Sequence, residues 1–217
     1  MNAYRGDMTE MTTTSKLCIT RHGETNWNIF GILQGWIDVP LNDKGRIQAL
    51  ELAQAMADQG FSGVCTSPLR RSAETAEIIA EAWGMPPPTA YEGLKERNFG
   101  LIQGQPKSEL AESHPGLYQE ILRRNPAAHF DEGESLDHFA DRVIAALHEV
   151  AEQHVGERVL IITHGWVMDV ITRHLSGLPR TAVLDLKRKN GESIWLELTS
   201  AATFVESDAG NGLMAER

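Results

Sequence analysis

Two histidines carry the strongest chemical signal in this chain. His22 and His164 each follow a short apolar run, Leu17–Thr20 and Arg158–Thr163, and each is followed by glycine. A lone histidine after such a run is ordinarily a turn residue or a satisfied hydrogen-bonding group. On that reading His114, His129, His138, His148, His154 and His174, on polar loops or helices, are structural or solvated. A pair of strand-end His-Gly steps, the first directly preceded by Arg21, is harder to dismiss. Glycine lets the backbone approach a ligand and exposes an N–H to an anion. A guanidinium beside an imidazole disfavours its protonation, and a neutral imidazole holds the lone pair a nucleophile needs.

The pattern of the chain says which elements position these groups. Leu17–Thr20, Gly63–Ser67 and Arg158–Thr163 read as short buried strands, and Ser193–Leu198 alternates like another. Asn42 or Asp43 caps a helix running to Gln59 and stopped by Gly60, with Ile47, Leu50, Met56 and alanines as its apolar face. Pro68 opens a helix to Trp83, and Pro86–Pro88 is a stiff connector. The stretch 91–134 is irregular, with helical pieces at 107–113 and 116–124. Ser135 caps an amphipathic helix to about His154, whose face carries Leu136, Phe139, Val143, Ala146, Leu147 and Val150. A further helix covers 166–175, and no internal repeat is present. Short strands alternating with helices predict an α/β fold, a three-layer α/β/α sandwich with a largely parallel central sheet. Ligands then bind beyond the carboxyl ends of the strands, where both histidines stand.

Composition narrows the function classes. The 217 residues carry 20 Lys+Arg against 30 Asp+Glu, a formal charge of -10, with 41% hydrophobic content. This describes one globular domain over 16–206, with loose tails at 1–15 and 207–217. The acidic balance argues against nucleic acid or an anionic membrane as partner. Neither a spanning segment nor a signal-peptide core is visible. Cys18 and Cys65 sit in apolar runs and read as buried free thiols. A soluble cytoplasmic protein is expected, and a homodimer is left open.

Several ordered blocks resemble the histidine phosphatase superfamily, in its phosphoglycerate-mutase-like branch, across about residues 16–178. Thr20-Arg21-His22-Gly23-Glu24-Thr25-Asn26-Trp27-Asn28 resembles the signature in which the histidine becomes phosphorylated, and Gln34-Gly35-Trp36-Ile37-Asp38-Val39-Pro40-Leu41 the substrate loop that follows. Ser67-Pro68-Leu69-Arg70-Arg71 places Arg71 at the phosphate-binding arginine and leaves Arg70 on the surface. Leu94-Lys95-Glu96-Arg97 places Glu96 at the proton donor; Gly133-Glu134-Ser135 matches a structural block, and Thr163-His164-Gly165 the second histidine. The resemblance implies a phosphoglycerate-mutase-like fold and a catalytic set of His22, Arg21, Arg71, Glu96 and His164. Asn28, Gln34, Gly35 and Gly165 are then substrate-binding, while Trp27 and Trp36 pack or wall the pocket. It also implies that Arg21, Arg71 and a protonated or hydrogen-bonding His164 surround the phosphoryl oxygens. Guanidinium groups suit that task through paired hydrogen bonds. No metal and no cofactor is expected, because the arginines carry the charge.

Water or a second substrate hydroxyl could discharge the phosphohistidine. Lys107, 11 residues after Glu96, and Arg123-Arg124, 27 and 28 after it, resemble the cations with which mutases hold a substrate carboxylate. Three features favour a phosphatase: the bulky Trp166 after His164-Gly165, only eight residues between Arg124 and Gly133, and a short end without an evident lysine-bearing tail. A less shielded phosphohistidine loses its phosphoryl group to water. The expected activity is therefore a phosphoric monoester hydrolase acting on a small phosphorylated metabolite. Phosphoglycerate-mutase-type isomerase chemistry is the alternative, and an inactive protein-interaction module of the same fold a more distant one.

Overall fold

The structure, a computed structural model, describes residues 14–184, 192–199 and 202–207. Except for residues 14, 15 and 207, the expected tails lie outside the described residues. The strands are β1 (Lys16–Arg21), β2 (Gly63–Thr66), β3 (Thr89–Ala90), β4 (Arg158–Thr163), β5 (Ser193–Leu198) and β6 (Phe204–Glu206). They form a six-stranded sheet in the order β3-β2-β4-β1-β5-β6. The first four run parallel, and β5 and β6 close one edge antiparallel.

Burial on both faces explains why β1 and β4 are continuous apolar runs rather than alternating ones. Leu17, Ile19, Val159 and Ile161 enter one core; Cys18, Leu160 and Ile162 enter the other. The second core is covered by α2 (Asp43–Met56) and α3 (Arg70–Ala82). The first is covered by α6 (Leu136–Gln153) and α7 (Gly165–Leu175), with α4 (Lys107–Ser113) and α5 (Pro115–Leu122) above them. α1 (Asn26–Ile29) is a single turn between β1 and α2. The sheet between two helical layers is the three-layer sandwich. No helix among the described residues is long and apolar enough to cross a membrane.

Local signals account for most boundaries. The Asn42 side chain accepts from the Gly45 N–H to start α2, and the Ser135 side chain accepts from the His138 N–H to start α6. Seven apolar residues at helical spacing, including Phe139, Val143, Leu147 and Val150, bury the inner face of α6 as its periodicity demands. The face expected for α2 is corrected: Ile47 and Leu50 are exposed, and Gly45, Ala49, Leu52 and Ala53 are buried. Backbone approach decides this. A Cβ on Gly45 would lie 2.1 Å from the Glu24 carbonyl oxygen, and one on Gly23 2.5 Å from the Gly45 carbonyl oxygen. The two glycines let α2 dock directly on the loop after β1, which fixes the rotation of the helix and turns its small residues inward.

The sheet also fixes what stands at its carboxyl edge. Arg21 pairs with Thr163 across β1 and β4, and Thr66 with Ile162 across β2 and β4. The next residues continue the ladder: His22 N–H donates to the Thr163 carbonyl at 3.0 Å, and Ser67 N–H to the Ile162 carbonyl at 3.1 Å. Ser67, His164 and His22 therefore stand in a row on adjacent strand ends.

Candidate active site

The row is joined by side-chain contacts. His164 Nε2 lies 2.8 Å from the Ser67 hydroxyl, and the rings of His164 and His22 have centroids 5.2 Å apart. His22 Nδ1 lies 2.6 Å from the Gly23 carbonyl oxygen, which can only accept. Nδ1 must hold the ring proton, so the lone pair is on Nε2. Burial, and then the charges of Arg71 and Arg21, push the His22 pKa well below its ordinary value. Burial and the same arginines, with His22 and Arg142, do likewise for His164. Both imidazoles are neutral here, so the hydrogen-bonding form of His164 applies rather than the protonated one.

A cavity of about 130 Å³ opens in front of His22. Arg21, Arg71, Asn28, Gln34, Gly35, Glu96, Lys107, Arg124 and Gly165 line it, while His164 stands behind His22 and off the wall. Arg71 is locked by its own donors: Nη1 binds the Ile37 carbonyl at 3.1 Å and Nη2 the Gly35 carbonyl at 2.8 Å. Burial lowers its pKa to about 10, so it stays a cation at neutral pH. Asn28 and Thr25 form a capping box in which the Asn28 Oδ1 accepts from the Thr25 N–H at 3.0 Å. That leaves the amide NH₂ of Asn28 as its donor toward a ligand.

Glu96 reaches the cavity on a loop that is built rather than loose. The Thr163 hydroxyl donates to the Leu94 carbonyl, anchoring the loop to the end of β4. Arg142, from α6, donates to the carbonyls of Gly93, Lys95 and Glu96 and grips both oxygens of Glu134 at 2.6 and 2.7 Å. The Glu134 carboxylate also accepts from the Asn98 N–H, so the Gly133-Glu134-Ser135 block braces this loop. Trp36 donates to the Glu96 carbonyl at 2.7 Å and packs beside the loop; neither Trp36 nor Trp27 walls the cavity. Burial raises the Glu96 pKa, against the opposing pull of Arg124, the Arg97 N–H, Arg71 and Arg21. A carboxyl so placed keeps its proton to higher pH and can give it to a leaving oxygen.

Arg123 is the one expected substrate residue that the structure sends elsewhere. It caps α5, is exposed and does not line the cavity. The chain turns left-handed at Arg124, φ 50°, directly after Arg123 caps α5, and of the pair it is Arg124 that lines the cavity. Sequence reasoning missed Ser67 as the partner of His164, although it lies one residue past β2, level with both histidines. It also did not single out Asp169, whose Oδ2 accepts from the Arg124 Nε at 2.6 Å and which carried no signal beyond being an acid inside an apolar helix. Trp166 was noted only for its bulk, yet lines the cavity beside Phe99, Ile121 and Leu122. Among the described residues no cluster of His, Cys, Asp and Glu could hold a metal ion.

A strand-end histidine with its ring proton on Nδ1, flanked by arginines and facing a buried acid, brings together the groups that phosphoryl transfer needs. The chain belongs to the histidine phosphatase superfamily (branch 1), whose family model matches residues 17–207. It is 37% identical over 159 residues to the metal-independent phosphoserine phosphatase of Arabidopsis thaliana, covering 72% of this chain and 67% of that protein. It is 32% identical over 202 residues to the probable phosphoglycerate mutase GpmB of Shigella boydii, covering 89% of this chain and 91% of that protein. Among solved structures it resembles Bacillus stearothermophilus YhfR with a TM-score of 0.82 and 28% identity, over 89% of this chain and 95% of that one.

Proposed function

We propose that this protein is a metal-independent phosphatase that hydrolyses a small phosphorylated metabolite through a phosphohistidine on His22. The observation that carries the reading is the Nδ1–H bond to the Gly23 carbonyl, which holds the lone pair on Nε2 next to Arg21 and Arg71. Nε2 attacks phosphorus, the ester P–O bond breaks, and Glu96 gives its proton to the departing alkoxide. Glu96, now a carboxylate, takes a proton from water; the hydroxide attacks the phosphohistidine, releasing phosphate and restoring both groups. Arg21 and Arg71 balance charge on the equatorial oxygens, the principal demand of phosphoryl transfer. Asn28 and the backbone around Gly35 complete the cradle, with His164 supporting His22 from behind.

Hydrolysis is favoured over mutase transfer because the short stretch after Arg124 is tied down rather than free to close over the site. Arg97 binds the carbonyls of Pro126, Ala128 and Glu134, which ties the short stretch after Arg124 to the body. Water then reaches the phosphohistidine. The mutase reading keeps specific support, since Lys107 and Arg124 line the cavity. Because His22, Arg21, Arg71, Glu96 and His164 are all present, an inactive interaction module is disfavoured. A cytoplasmic location suits the buried free thiols and a substrate of this class.

The test uses p-nitrophenyl phosphate and small phosphometabolites with EDTA present. Turnover in the wild type and its loss in His22→Ala is expected; strict dependence on added metal would overturn the reading. Comparing 3-phosphoglycerate with and without 2,3-bisphosphoglycerate separates hydrolysis from mutase transfer.

A further inference from the structure

One buried carboxylate in the first core is not used by the chemistry above. Of the buried acids, Glu96 serves as the acid and Glu134 braces its loop, while Asp169 lies on α7 with its side chain only 2% exposed. Its Oδ2 accepts from the Arg124 Nε at 2.6 Å. Arg124 adopts a left-handed backbone, φ 50°, which is disfavoured for a residue with a Cβ and persists only when its surroundings hold it. Its guanidinium carbon lies 5.1 Å from the centre of the Trp166 ring. Nη2 is buried without a hydrogen-bond partner. A Cβ on Gly165 would come within 3.3 Å of that same Nη2, so glycine leaves the space the guanidinium uses. Asp169, Trp166 and Gly165 thus aim one edge of Arg124 into the cavity.

We propose that Asp169 is a positioning residue that fixes Arg124 to read a carboxylate beside the phosphate ester, and so sets substrate selectivity. The inference rests on the phosphatase reading of the same site. Charge explains why an acid is needed there. Arg124 faces Arg21, and an unpaired guanidinium would compete for the phosphoryl group that Arg21 and Arg71 must hold. Paired with Asp169 the unit is neutral overall, yet its Nη edge still donates to an anion. A carboxylate, with its two oxygens in one plane, matches the paired N–H donors of that edge. Arg173, four residues further along α7, donates to the Ala182 carbonyl and does not line the cavity.

The test compares O-phosphoserine with O-phosphoethanolamine, which differ only by the carboxylate, in the wild type, Asp169→Ala and Asp169→Asn. The wild type is expected to prefer phosphoserine in kcat/KM. Asp169→Ala should cut that preference at least ~10-fold, through KM for phosphoserine, the scale of a lost hydrogen bond to a charged group. Asp169→Asn keeps the shape and an acceptor but loses the charge, and should cut it roughly 3-fold. It decides the matter if the alanine variant does not fold. A wild type without preference, or an unchanged ratio in whichever variant is soluble, overturns the inference. An equal loss on both substrates does so too, because that is what a merely structural ion pair gives. p-Nitrophenyl phosphate turnover in the wild type keeps such a failure distinct from failure of the phosphatase reading; no turnover of any ester would overturn both.

Discussion

His22 and His164 stand with ring centroids 5.2 Å apart because they extend neighbouring parallel strands in register. Adjacent strands lie about 4.8 Å apart, so the sheet sets this spacing rather than any loop. Two neutral imidazoles held so close to Arg21 and Arg71 add no positive charge of their own to the site.

In the proposed mechanism, the opposite pKa shifts of His22 and Glu96 set the pH range of activity. The His22 pKa is lowered, so the nucleophile is available throughout the neutral range and is lost only as pH falls through that depressed value. The Glu96 pKa is raised, so the acid form persists above the ordinary glutamate range and is lost as pH rises through the raised value. A kcat/KM profile on an alkyl phosphate should show an alkaline limb that disappears in Glu96→Gln. An acid limb at about 6.5, the ordinary histidine value, would contradict the His22 assignment.

Glu96→Gln should also separate leaving groups. Loss of general acid help is expected to slow alkyl phosphates by ~10²–10⁴-fold. The p-nitrophenolate ion leaves without a proton, so formation of the phosphoenzyme from p-nitrophenyl phosphate should suffer less. Equal losses in burst-phase rates on both esters would argue against a proton donor.

Ser67→Ala removes the hydroxyl partner of His164 and leaves the imidazole unsatisfied on that side. A net hydrogen bond of about 1 kcal/mol corresponds to roughly a 5-fold fall in turnover. Steady-state kinetics alongside far-ultraviolet circular dichroism check this, and an unchanged kcat would show that the contact does not tune the site.

Gly45→Ala puts a methyl group against the Glu24 carbonyl oxygen, at 2.1 Å before any relaxation. The helix and the loop after His22 must part, at a cost of about 1–3 kcal/mol. A lowered melting temperature together with reduced activity is expected, whereas Ile47→Ala, on the exposed side of α2, should change neither.

The elements and cavity residues that lie in short contiguous patterns were legible in the sequence. β4 and β5 have the boundaries their apolar runs suggest, and α6 begins at the serine that caps it. His22 announces itself because its arginine, glycine and strand are adjacent in the chain. What depends on approach between distant segments was not legible. The rotation of α2 is decided by Gly45 meeting Glu24, so its larger apolar side chains mislead. Ser67 and Asp169 act through partners 97 and 45 residues away. The choice between Arg123 and Arg124 turns on a left-handed residue after α5 that no local pattern marks. β6 is a short edge strand whose pairing with β5 its composition did not signal.

The central claim is tested most directly by trapping the phosphoenzyme. Rapid acid-free quench of the protein with a fast-reacting aryl phosphate, followed by peptide mass spectrometry under alkaline conditions, should find one phosphoryl group on the peptide containing His22. His22→Ala should show none and should not turn over. Phosphate on another residue, or turnover retained in His22→Ala, would contradict the account.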